Sequence, residues 1–141
     1  MTNKIQLPQY EEVAEWVHKG CTGISQDVID CIKKAAAKES NPAAREILET
    51  MLDNVRMAGE LDKPVCQSPG FPTVWVRFGD NVSLAGLKGH LERALTENTK
   101  KGYIRPSIVH SLTRKNPGDS TGEGVPNIEY RYVEGQEYLE I

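Results

Sequence analysis

The stretch that most limits what this chain can become is Pro64-Val65-Cys66-Gln67-Ser68-Pro69-Gly70-Phe71-Pro72, which runs straight into the apolar segment Thr73-Val74-Trp75-Val76-Arg77-Phe78. Its prolines fix φ and remove backbone donors, so it cannot continue a helix, and the segment after it reads as a strand. The bend is therefore stiff, and a cysteine placed in it is presented rather than packed. The residues before it read as helical. The bend is thus the junction between a helical half (1–60) and a mixed strand and helix half (61–141) of a chain whose 141 residues suit a single domain.

Apolar spacing carries the helical half. From Pro8 to Lys19, Tyr10, Val13, Ala14, Trp16 and Val17 fall on one side of a helical wheel, with Gly20 as a stop. Ser25 is positioned as an N-cap, with Asp27 in the first turn, for a second helix whose stripe is Val28, Ile29, Ile32 and the alanines 35 to 37, ending near Glu39. Asn41-Pro42 opens a third helix, with Ile47, Leu48, Met51, Leu52, Val55 and Ala58 recurring up to Gly59. Three amphipathic helices need an apolar surface to cover, and the strand at 73–78 is the first available.

Downstream, Leu84, Leu87, Leu91 and Leu95 predict a fourth helix reaching about Lys101. Ser107 to Leu112 reads as a strand-like arm. Thr113 to Gly124 has no large apolar side chain, the profile of a working or disordered loop, and its small polar residues suit presentation of backbone N–H groups to an anion. The alternation of Ile128, Tyr130, Tyr132, Tyr138, Leu139 and Ile141 predicts two strands or a hairpin. The fold class expected is α+β, N-terminal amphipathic helices packed on a small twisted β-sheet.

Charge and cysteines narrow the function. A net charge of -3 from interspersed signs lacks the basic stripe that nucleic acid demands. No run approaches the roughly 18 apolar residues of a membrane span, and the opening residues lack the apolar core of a signal peptide, so a cytoplasmic protein is expected. Cys21, Cys31 and Cys66 are odd in number and show no CxxC spacing, which fits neither a disulfide framework nor a self-contained zinc site. Cys31 sits on the apolar stripe of its helix and reads as a packed small side chain. His18, His90 and His110 are scattered and receive no role.

Three motifs occur in order: Val65-Cys66-Gln67-x-x-Gly70, Ile104-Arg105-Pro106, and Lys115-Asn116-x-Gly118-Asp119-x-Thr121-Gly122-x-Gly124-Val125-Pro126. Together with Asn54-Val55-Arg56-x-Ala58, they resemble the N-terminal part of class I fumarate hydratases and of L-tartrate dehydratase α subunits, from roughly Ser25 to Tyr130. That resemblance implies a hydro-lyase acting on a four-carbon dicarboxylate through a four-iron four-sulfur cluster held by three cysteines. By the match, Cys66 is a cluster ligand, Gln67 contacts substrate and Arg105 clamps a carboxylate, with Asn116, Asp119 and Thr121 as further substrate-binding candidates. A guanidinium suits a carboxylate because its planar fork donates two parallel charge-assisted hydrogen bonds.

Two departures qualify what the resemblance implies. Ser68-Pro69 replaces the family's Asp-Thr, so the expected acid is absent, and serine cannot act as a carboxylate acid or base. The family's other cluster cysteines lie beyond position 141, so this chain alone is expected to be inactive and without the cluster. It would be part of a homo- or hetero-oligomer completed by a β subunit or C-terminal part, with an apolar face beside the Cys66 bend. The alternative is a non-catalytic relative that docks a subunit or binds an organic acid.

Overall fold

The computed structural model describes residues 5–66 and 69–141. Along them run helices α1 (Tyr10–Thr22), α2 (Gln26–Lys38) and α3 (Pro42–Leu61), strand β1 (Thr73–Phe78), helix α4 (Leu87–Lys100), and strands β2 (Asn127–Tyr132) and β3 (Leu139–Glu140). The fold is α+β. None of these helices is long and apolar enough to cross a membrane. The chain forms two compact units: Met1–Val17 with Ser68–Ile141, and His18–Gln67.

In the first unit β1 is the central strand, parallel to β2 on one side and antiparallel to β3 on the other. The period-2 alternation sends Val74, Val76 and Phe78 to one face, leaving Thr73, Trp75 and Arg77 exposed on the other. Val76 is fully buried among Val13 of α1 and Leu87, Leu91 and Ala94 of α4. The sheet in this unit is therefore covered by the first turns of α1 together with α4. Each buried valine or leucine among them contributes about 1.5–3 kcal/mol. Asn98, also buried, donates to the carbonyls of Ala94 at 2.9 Å and Ala14 at 3.2 Å, so the two covering helices are joined by a satisfied polar group.

The tail forms two strands, but not a hairpin, because residues 133–138 cross the end of β1 instead of turning back on β2. Val133 N–H donates to Phe78 (2.9 Å), Gly79 N–H to Tyr138 (2.9 Å) and Asp80 N–H to Gln136 (2.6 Å). A side chain at Gly79 would run into the Gln136 carbonyl, so glycine permits the crossing. Segment 107–112 is likewise not a strand. Leu112 and Thr113 give their N–H groups to His110 Nδ1, both at 3.2 Å, which closes a turn and removes donors a ladder would need.

In the second unit α2 packs on α3. Asn41 caps α3 by accepting from Ala43 N–H at 3.0 Å and Ala44 N–H at 3.5 Å. The predicted helix ends shift by short distances. Gly20 and Gly59 stay inside α1 and α3, with open space where a Cβ would point. Helix α4 starts at Leu87 rather than Leu84, after Gly86 at φ 97°. Ser25 is the N-cap residue of α2, as expected, but its side chain makes no capping bond to the helix; its hydroxyl bonds Asp27, which together with the Val28 N–H holds that carboxyl below its usual range.

Candidate functional site

The second unit carries the cysteine bend. Val65 N–H donates to the Cys21 carbonyl at the end of α1 (2.9 Å), and Asn54 Nδ2 on α3 donates to the Val65 carbonyl (2.8 Å). The next residue, Cys66, is exposed, as a presented thiol must be, and no disulfide involves it. Cys21 is half-buried, and burial pushes its thiol up, away from the thiolate a metal needs. Cys31 is exposed, contrary to its expected place on the packed stripe of α2, because that helix turns other residues, such as Ala36, inward. Gln67 and Ser68 lie outside the described residues. Beside the bend, Ile32 of α2, Ile47, Met51 and Val55 of α3, and Val65 line an apolar groove of about 630 Å³.

Arg105 belongs to the first unit. It is exposed while its backbone is heavily tied: its N–H donates to Pro69 at 2.8 Å, and its carbonyl accepts from Ser107 N–H at 2.7 Å and from the Ser120 hydroxyl at 3.0 Å. Gly70 fits against this segment only because it lacks a side chain, since a Cβ there would sit 2.9 Å from the Arg105 carbonyl and 2.9 Å from Ser107 Oγ. The bend's far end, the Arg105 segment and the polar loop thus form one hydrogen-bonded cluster.

Asn116, Asp119 and Thr121 spend their side chains on that loop. Asn116 Oδ1 accepts from Gly118 N–H at 2.7 Å while its Nδ2 donates to the Pro106 carbonyl at 2.7 Å. Asp119 Oδ1 accepts from the Thr121 N–H (3.0 Å) and hydroxyl (2.8 Å). Their observed role is to shape the loop beside Arg105. Asn116 and Thr121 also line a groove of about 800 Å³ with Ile108, His110, Lys115 and Glu123. His110 Nδ1 is an acceptor there, so in the neutral ring Nε2 carries the proton.

Sequence reasoning overlooked Ser120 and His110. A serine among small polar residues gives no sign that it will be buried, and the histidine's turn-closing role depends on geometry. Asn54 had a signal, its place in a motif, without a role. Among the described residues no group of three or more His, Cys, Asp or Glu side chains is gathered to hold a metal ion. Of the two exposed thiols, Cys66 and Cys31, only Cys66 stands in the bend that carries the motif: a partial fit to a cluster, not a complete ligand set.

Comparison with known proteins adds the following. The family described as "Fumarate hydratase (Fumerase)" matches residues 10–141. A protein of Geobacillus stearothermophilus that carries the name of a class I fumarate hydratase is 32% identical over 133 residues, covering 94% of this chain and 26% of the relative. The L(+)-tartrate dehydratase subunit alpha of Escherichia coli (strain K12) is 31% identical over 132 residues, covering 93% of this chain and 44% of the relative. The chain thus spans about a quarter of the length of the first relative and less than half of the second.

Proposed function

Because this chain belongs to the fumarate hydratase family, we propose that it is part of an iron–sulfur hydro-lyase that hydrates or dehydrates a four-carbon dicarboxylate of the fumarate, malate or tartrate type. The observation that carries the reading is the exposed Cys66, set on a bend anchored to two helices, in a chain that matches the family over residues 10–141. Residues 1–141 act as one domain of the larger enzyme, in the cytoplasm, and a β subunit or C-terminal part supplies the remaining ligands. A four-iron four-sulfur cluster, when bound, supplies a Lewis acid for the hydroxyl that leaves or arrives.

This chain's own residues bind and orient. Cys66 donates one thiolate. Arg105 holds a substrate carboxylate through its guanidinium fork, with Gln67 as a second contact. Asn116, Asp119 and Thr121 shape the surface on which the substrate rests. Anaerobic reconstitution with iron and sulfide tests the reading: the chain alone forms no cluster, and the chain co-expressed with a partner subunit develops cluster absorbance that Cys66→Ala removes. Absence of that absorbance with the partner present sinks the proposal.

Ser68-Pro69 favours a second reading. Loss of the acid weakens proton transfer yet leaves Arg105 able to bind, as in a non-catalytic module that docks a subunit or holds an organic acid. Restoring Asp-Thr at 68–69 separates the two. Activity of the unaltered complex supports the enzyme; activity only after restoration supports the module.

A further inference from the structure

We infer that Asn54 is a positioning residue for the Cys66 thiol, an inference that rests on the reading of Cys66 as a cofactor ligand. The carbonyl that Asn54 Nδ2 holds at 2.8 Å belongs to the peptide plane leading into Cys66, so this bond fixes the plane from which the Cys66 side chain departs. The preceding plane is held as well, by the Val65 N–H bond to the Cys21 carbonyl at 2.9 Å. Two consecutive planes just before the thiol are therefore tied to two different helices. Pro64 stiffens the approach by fixing its own φ.

The chemistry of the side chain is specific. Only an N–H or O–H donor of suitable reach can hold that carbonyl; an aspartate of the same shape would face it with another oxygen. The neighbouring polar residue of α3 behaves differently. Arg56 stays within the helix, bonding Glu60 at 2.8 Å and Asp53 at 3.4 Å, whereas Asn54 reaches out to the bend. Asn54 and Val65 also line the apolar groove, so the clamp stands at the edge of an open surface.

The test uses the chain carrying Cys21→Ala and Cys31→Ser, so that position 66 holds the sole thiol. Two quantities are read: the rate of Cys66 alkylation by iodoacetamide and the hydrogen exchange of the Val65 amide. Asn54→Ala and Asn54→Asp are expected to raise Val65 exchange about fivefold, the effect of losing one ordinary hydrogen bond, and to change the alkylation rate, while amide protection in α4 stays as it was. Asn54→Gln keeps the donor and restores part of both. If Asn54→Ala does not fold, the Asp and Gln variants carry the comparison.

Unchanged alkylation and exchange in Asn54→Asp overturn the inference, as does a loss in Asn54→Gln equal to that in Asn54→Asp. Neither readout needs a cluster. Failed reconstitution with the clamp intact would therefore sink the cofactor reading alone, whereas cluster formation indifferent to Asn54 would sink the clamp alone.

Discussion

The hydroxyl of Ser120, fully buried at 0% exposure, donates to the backbone carbonyl of Arg105 at 3.0 Å. This bond joins the polar loop to the segment carrying the guanidinium, and Ser120 adopts φ 58°, a left-handed conformation that favours glycine. Two substitutions separate the two features. Ser120→Ala removes one of that carbonyl's two donors, the Ser107 N–H remaining, and keeps the strain, for a loss of about 0.5–1.5 kcal/mol. Ser120→Gly loses the same bond but relieves the backbone, so its unfolding midpoint in urea should lie above that of Ser120→Ala. The reverse order would show that the left-handed backbone at position 120 costs no strain.

Gly70 and Gly89 are expected to respond oppositely to alanine. At Gly70 a methyl group would sit 2.9 Å from the Arg105 carbonyl, a backbone atom that cannot swing aside, so Gly70→Ala destabilises by about 1–3 kcal/mol. Gly89 lies inside α4 with open space at its Cβ position, and Gly89→Ala stabilises by about 0.5–1 kcal/mol through helix propensity. Thermal unfolding of both variants beside the parent checks the pair.

What the sequence disclosed follows from how local each cause is. Asn41-Pro42 caps α3 and Thr73–Phe78 is a strand because the determinants lie within a few residues. The pairing of β2 and β3 on opposite sides of β1 depends on Gly79 letting a distant segment cross, and no period in the tail encodes that. The same division holds at the site. Motifs singled out Cys66 and Arg105, but the groups that hold their backbones, Asn54 for the Cys66 bend and Ser120 for the Arg105 segment, act through single contacts across long stretches of chain.

Glu97 sets part of the acid response. The Tyr10 hydroxyl, followed by Arg93, holds the Glu97 carboxyl below its usual range, so the folded chain binds that proton less tightly than the unfolded one. The stabilisation is therefore present above the ordinary glutamate pKa of about 4.3 and is lost as pH falls through the lower folded value. Glu97→Gln should lower stability at pH 7 and flatten its decline on acidification. Urea titrations between pH 3 and pH 7 test this, and parallel curves for parent and variant would rule it out.

Arg105 offers the sharpest separation of binding from folding. Its backbone makes the N–H bond to Pro69 and accepts from Ser107 and Ser120, and its side chain is exposed. Arg105→Lys keeps a positive charge but not the planar pair of donors, and Arg105→Ala keeps neither. If the side chain clamps a carboxylate, calorimetric titration with fumarate or tartrate in the presence of the partner subunit should show affinity falling in the order Arg, Lys, Ala. The Ala loss should be about 10- to 100-fold, the size of a charge-assisted hydrogen bond. Thermal midpoints of the three proteins, measured in parallel, separate an effect on binding from one on folding. Equal affinities would remove Arg105 from the site, and a shared loss of stability would assign its effect to folding.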